Sequence, residues 1–137
     1  MRRSVVVPVA PVGKQRARFD GSGHVYTPEQ TRVFENAVGL WWGKEHYAAW
    51  HSGVALRLTV EAVVERPSTN KARKAHPAYP TMTPDGSNIL KAVEDGLNKI
   101  AYADDCQIVD TRCVKRYCLP GEAPHLTITI DDELEAG

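Results

Sequence analysis

Val54-Ala55-Leu56-Arg57-Leu58-Thr59-Val60-Glu61-Ala62-Val63-Val64 alternates apolar and polar residues over most of its length, and Pro67 follows it. That pattern predicts one long strand. Downstream, Ile89, Val93, Leu97 and Ile100 recur at helical spacing and predict an amphipathic helix from Asn88 to Lys99. Gly96 sits inside it at a cost of about 1 kcal/mol relative to alanine. Two more strands are expected at about 107–118 and about 125–130, joined by a turn at Pro120-Gly121. Upstream, Thr27-Pro28-Glu29-Gln30 reads as a helix start, with Thr27 as cap, Pro28 at the first helical position and Gln30 completing a capping box. Val33, Phe34, Ala37, Trp41 and Ala48 extend that helix from about 28 to about 50 and make Trp41 or Trp42 a core residue. Val5-Val6-Val7 is a short strand bounded by Pro8 and Pro11. Asp20-Gly21-Ser22-Gly23 predicts a tight turn, with Phe19 and Val25-Tyr26 as hairpin arms. The order predicts an α+β fold: a mixed sheet of four to five strands with two main helices packed on it.

A chain of 137 residues, 42% hydrophobic and 25% charged, is expected to form one domain over 1–137 around one core. The mix excludes collagen-like, coiled-coil and wholly disordered chains. Seventeen bases balance seventeen acids, but the two are segregated. Residues 1–74 hold twelve bases and six acids, and residues 75–137 hold five and eleven. Such asymmetry points toward nucleic acid or metal. The acidic end, 131–137, is expected to fray. The apolar run Val5 to Val12 is broken by two prolines and lacks a cleavage site, and no stretch is long enough for a membrane span, so a cytoplasmic location is expected. Cys106, Cys113 and Cys118 form no CxxC and are expected to be reduced thiols.

Asp85 stands just before a predicted helix, and Asp104-Asp105 lie in the short connection into a strand. These acids are expected to meet at one end of the sheet, where hard carboxylate oxygens suit Mg²⁺. Lys91 would reach the same mouth to stabilise phosphate charge. Acids also favour helix N-termini for dipole reasons alone. A Lys91–Asp95 pair at i,i+4 is the spacing of a solvated ion pair. Residues 66–84 carry four prolines and no apolar period, which predicts a long loop holding Arg66, Lys71, Arg73 and Lys74. No histidine spacing suits a metal, no GxSxG suits a hydrolase, and no glycine loop suits a phosphate.

Several blocks then fall in a telling order. They are Gly13-Lys14-Gln15-Arg16-Ala17-Arg18, Tyr26-Thr27-Pro28, Pro84-Asp85-x-x-Asn88-x-x-Lys91, Glu94-Asp95-Gly96-Leu97-Asn98, Tyr102-Ala103-Asp104-Asp105-x-Gln107, Lys115 and Ile128-Thr129-Ile130. Over most of its length the chain thus resembles the RusA-type Holliday junction resolvases of bacteria and their phages. The resemblance implies a homodimeric endodeoxyribonuclease that cuts four-way or branched DNA symmetrically, using Mg²⁺ with Mn²⁺ as a substitute. It places the first motif acid on Asp85, the lysine on Lys91 and the later acid on Asp105, with Asp104 beside it. Asp85, Asp104 and Asp105 would hold the metal. Lys14, Arg16, Arg18, Lys71, Arg73, Lys74 and Lys115 would contact DNA phosphates. One position departs from the family: the aspartate usual two residues after the first is Ser87 here. Asp95 cannot replace it, since eight helical residues span about 12 Å. The resemblance therefore leaves open a branched-DNA-binding protein with weak or no cleavage, and an accessory protein without a DNA role.

Overall fold

A computed structural model describes residues 1–26, 28–66 and 79–135. Its four-stranded sheet is built of β1 (Arg2–Val7), β4 (Leu56–Val64), β5 (Ile108–Tyr117) and β6 (His125–Asp131). Across the sheet their order is β1-β6-β4-β5. A separate hairpin joins β2 (Arg18–Phe19) to β3 (Val25–Tyr26). Its turn is the expected one: the Asp20 carboxylate accepts the Ser22 and His24 backbone N–H groups, and Gly23 adopts φ +85°. Two helices pack on the sheet, α1 (Glu29–Glu45) and α2 (Gly86–Leu97). The α+β architecture with a mixed sheet is therefore present as expected.

β4 is central because nearly every second residue is apolar: Leu56, Leu58, Val60 and Ala62 are all fully buried. It pairs antiparallel with β6 and parallel with β5. A parallel pair needs a crossover connection, and α2 lies within it. The same strand's other face is polar: Arg57 reaches Asp110 at 2.7 Å, and Arg116 bridges Glu61 at 3.4 Å and Glu122 at 2.6 Å.

α1 buries Phe34, Val38 and Trp42 against this core, so Trp42 rather than half-buried Trp41 is the core indole. The helix stops at Glu45, five residues short of expectation. His46 is extended (φ −135°, ψ 111°), and the chain runs on to Trp50, whose N–H bonds the Ala101 carbonyl at 2.9 Å. Trp50 is buried by that pairing, and the helical spacing of exposed Ala48 carries no structural weight. At the other end Pro28 is the cap residue, with no side-chain cap bond; Thr27 lies outside the described residues. α2 begins and ends two residues earlier than expected: Asp85 is its cap residue, Asn98 leaves the helix at φ −58°, ψ 129°, and Lys99 adopts φ +66°.

Gly39 and Gly96 explain how α1 and α2 meet. A Cβ on Gly96 would lie 2.7 Å from the Glu35 carbonyl oxygen, and one on Gly39 would lie 2.8 Å from the Gly96 oxygen. The helices touch backbone to backbone, which is the gain that offsets the helix cost of Gly96. Asp131, expected in a frayed tail, is instead the last residue of β6, buried and paired with Arg2 at 3.2 Å. Asp132 binds the Met1 ammonium at 2.5 Å and the Trp50 indole N–H at 2.8 Å. These partners tie the acidic segment down. Cys106, Cys113 and Cys118 are all free. No helix among the described residues is long and apolar enough to cross a membrane.

Gly96→Ala should destabilise the fold by about 1–3 kcal/mol through overpacking, although alanine is the better helix former; a shifted denaturant midpoint at constant m checks it. The Met1 ammonium, followed by the Trp50 indole, holds the Asp132 carboxyl below its ordinary range. Its stabilising contribution is thus present above about pH 4 and lost as pH falls through the depressed value. Asp132→Asn should flatten the acid limb of a stability-against-pH curve, and also the limb above about pH 8, because Asp132 raises the pKa of the Met1 ammonium and that contribution is lost as the amine deprotonates.

Candidate active site

The site grows from the short connection between α2 and β5. Gln107 is buried, and its side-chain carbonyl accepts the Ala103 and Asp104 N–H groups at 3.0 Å each. Its amide nitrogen donates to the His51 carbonyl at 2.8 Å and to the Val54 carbonyl at 3.2 Å. One buried side chain therefore pins this turn to the segment that enters β4. Asp104 caps the following single 3-10 turn (Asp105–Gln107) by accepting the Cys106 N–H at 3.1 Å. That N–H, and then the neighbouring Asp105 side chain, hold the Asp104 carboxyl below its ordinary range.

With its neighbours fixed, Asp105 faces α2. Lys91 Nζ lies 3.8 Å from its carboxylate and 3.4 Å from that of Asp95. The second Asp95 oxygen is 3.1 Å from Lys14 Nζ, which also meets Glu35 of α1 at 2.6 Å. A line of alternating charge results: Glu35, Lys14, Asp95, Lys91, Asp105. The Lys14 backbone N–H bonds the Asn88 carbonyl at 2.9 Å, seating residues 13–15 against the start of α2. Partial burial works against the Lys14 charge, but the hydrogen bonds it donates to Glu35 and Asp95 outweigh it and raise its pKa. Glu94, half-buried beside this line, is pushed up by burial. Tyr102 is buried beneath it and donates its hydroxyl to the Glu94 carbonyl at 2.8 Å.

Asp85 stands apart. It is the cap residue of α2, makes no cap bond, and receives the Asn88 amide at 3.4 Å. It lines an open cleft of about 310 Å³ with Lys14, Gln15, Gln30 and Asn88. The segment before it is held by Lys115, whose ammonium donates to the Met82 carbonyl at 2.7 Å and the Pro84 carbonyl at 3.0 Å. Along the helix axis, the six residues from Asp85 to Lys91 span about 9 Å. The helix that joins Asp85 to Asp104-Asp105 also separates them, because the connection to β5 leaves from its far end.

The structure thus brings Lys91 and Asp105 together and does not gather Asp85, Asp104 and Asp105 at one point. Among the described residues, no three His, Cys, Asp or Glu side chains converge to hold a metal ion. Asp104 is engaged as a cap, and the Lys91 ammonium stands beside Asp105. In this arrangement the residues do not fit a bound divalent ion.

Of the bases expected on DNA, Arg16 and Arg18 are exposed and have no ion-pair partner among the described residues. Lys14 is committed to acids and Lys115 to carbonyls. Lys71, Arg73 and Lys74 lie outside the described residues. Sequence reasoning missed Glu35, the hub position of Asp95, and Gln107 as the anchor of the turn. Asp95 carried a signal in its i,i+4 spacing from Lys91, and Gln107 stood in the block from Tyr102 to Gln107 without any sign of its anchoring role.

Two comparisons bear on this site. The family model for the endodeoxyribonuclease RusA matches residues 8–131. The uncharacterized protein YqaN of Bacillus subtilis (strain 168) is 29% identical over 129 residues, covering 88% of this chain and 89% of that protein.

Lys115→Met keeps most of the stem and removes both carbonyl bonds. Bonds from a charged donor are worth about 2 kcal/mol in total stability, so the unfolding midpoint should fall accordingly. Amide exchange should rise at the first turn of α2, around Asp85 to Asn88, before it rises in β4.

Proposed function

The chain belongs to the RusA endodeoxyribonuclease family, and from that premise we propose that it binds four-way or branched DNA and hydrolyses the phosphodiester backbone at the Lys91–Asp105 pair. One observation carries this reading: an ammonium and a carboxylate 3.8 Å apart on an accessible face, with side chains 53% and 34% exposed. A phosphate seated there would have its developing negative charge met by Lys91. Asp105 is the carboxylate within reach to take the proton of an attacking water. Arg16 and Arg18 would hold backbone phosphates and set register on the DNA without reading bases. Two copies of the chain would match the two-fold symmetry of a four-way junction, each cutting one of two opposed strands.

Ser87 favours a second reading within the first. The resemblance implies Mg²⁺ on carboxylate oxygens, and Ser87 removes one carboxylate from the face of α2 that carries Lys91. We therefore place cleavage well below binding in strength.

A junction assay tests both readings. The wild-type chain should bind a four-way junction in preference to duplex DNA, and in Mg²⁺ should cut it slowly. Ser87→Asp should raise the cutting rate about tenfold or more, whereas Asp105→Asn and Lys91→Ala should abolish it; general acid–base and charge-stabilising groups each contribute about 10² or more. Arg16→Ala and Arg18→Ala should each lower the slope of log affinity against log salt by about 1. Absence of junction binding at low salt overturns the DNA readings altogether, and cleavage that survives Asp105→Asn overturns the assignment of the site.

A further inference from the structure

Lys91 has a four-carbon stem and is half exposed, so nothing intrinsic fixes where its ammonium sits. Its helical partner is four residues downstream, the weaker orientation for such a pair, and exposed pairs of this kind hold a side chain poorly. Asp95 is not an ordinary surface partner, however. Its side chain is only 24% exposed, and each of its oxygens meets a different lysine: Oδ1 takes Lys91 at 3.4 Å and Oδ2 takes Lys14 at 3.1 Å. Lys14 is itself locked from two sides, by Glu35 at 2.6 Å and by its own backbone bond to Asn88. Glu35 is placed by the contact of α1 with α2, where its carbonyl faces Gly96. The rotamer of Asp95 is therefore set by groups on three separate stretches of chain.

From this geometry we infer that Asp95 is a positioning residue, braced by Lys14 and Glu35, that fixes the Lys91 ammonium over Asp105. The inference rests on the reading of Lys91 given above, but the ordering of Lys91 can be measured without any cleavage. It also assigns Lys14 an internal role: its charge belongs to the brace and not to a DNA phosphate.

The experiment compares the wild-type chain with Asp95→Asn, Asp95→Glu and Lys91→Ala, each also made with Ser87→Asp to bring cleavage into a measurable range. Nitrogen relaxation of the lysine ammonium groups should show Lys91 ordered in the wild type and mobile in Asp95→Asn. Lys14, still held by Glu35, should keep most of its order in that variant. With junction DNA, Asp95→Asn should lower kcat about 10- to 100-fold, the scale of a misplaced catalytic group, with KM changed less than about twofold. Asp95→Glu, which restores a carboxylate, should recover a part of both losses. Lys91 equally ordered in Asp95→Asn overturns the inference. So does an unchanged kcat in Asp95→Asn where Lys91→Ala is inactive. If Lys91→Ala cuts as well as the wild type, the reading of Lys91 itself falls, and the relaxation data alone then decide whether Asp95 orders it.

Discussion

The backbone contact between α1 and α2 at Gly39 and Gly96 is the constraint on which the rest of this molecule depends. Two helices that meet through side chains leave their axes 8–10 Å apart. Here a Cβ at Gly96 would fall 2.7 Å from a carbonyl oxygen of α1, so no side chain intervenes. That closeness carries Glu35 to within 2.6 Å of Lys14, and Lys14 to within 3.1 Å of Asp95. Remove it, and the line of charge along α2 loses its fixed end.

The segregation of charge along the sequence takes on a physical meaning in the fold. Lys14, from the basic first half, is joined through Asp95 to Lys91, and Lys91 in turn to Asp105, all three from the acidic second half. Part of the basic excess is thus neutralised internally, while Arg16 and Arg18 stay exposed close by. Lys115 shows the same principle with dipoles in place of acids: its ammonium satisfies the carbonyls of Met82 and Pro84 and shapes the approach to Asp85. A count of bases overstates the number free to meet a phosphate.

The elements were legible in the sequence because each rests on a local period. β4, β5, β6 and the body of both helices follow apolar spacing that needs no knowledge of partners. What local pattern could not supply was anything decided by a distant contact. α1 ends at Glu45 because Trp50 pairs with Ala101 and Tyr102, fifty residues on, and the helical spacing of Ala48 gave no hint of that. The acids of 131–133 look like a solvated tail until Arg2, Met1 and Trp50 are seen beside them. Asp85 and Asp105 belong to neighbouring blocks of one sequence pattern, but in space Asp85 caps the start of α2 while Asp105 lies beside Lys91 further along it. Lys91 and Asp105 were legible as neighbours from their positions around one mouth and again through the family pattern, and Glu35 not at all, since no short spacing connects it to the site.

The pairing of β1 with β6 sets a temporal order as well as a spatial one. Arg2 lies opposite Asp131 and Val7 opposite Leu126, so the first strand of the chain closes on the last. During synthesis β1 is made long before β6 and must wait without its strand partner until β6 has emerged. Contacts of such long sequence separation slow folding and prolong the exposure of sticky edges. A nascent chain of this protein therefore carries β1 as an unpaired edge until β6 has been made.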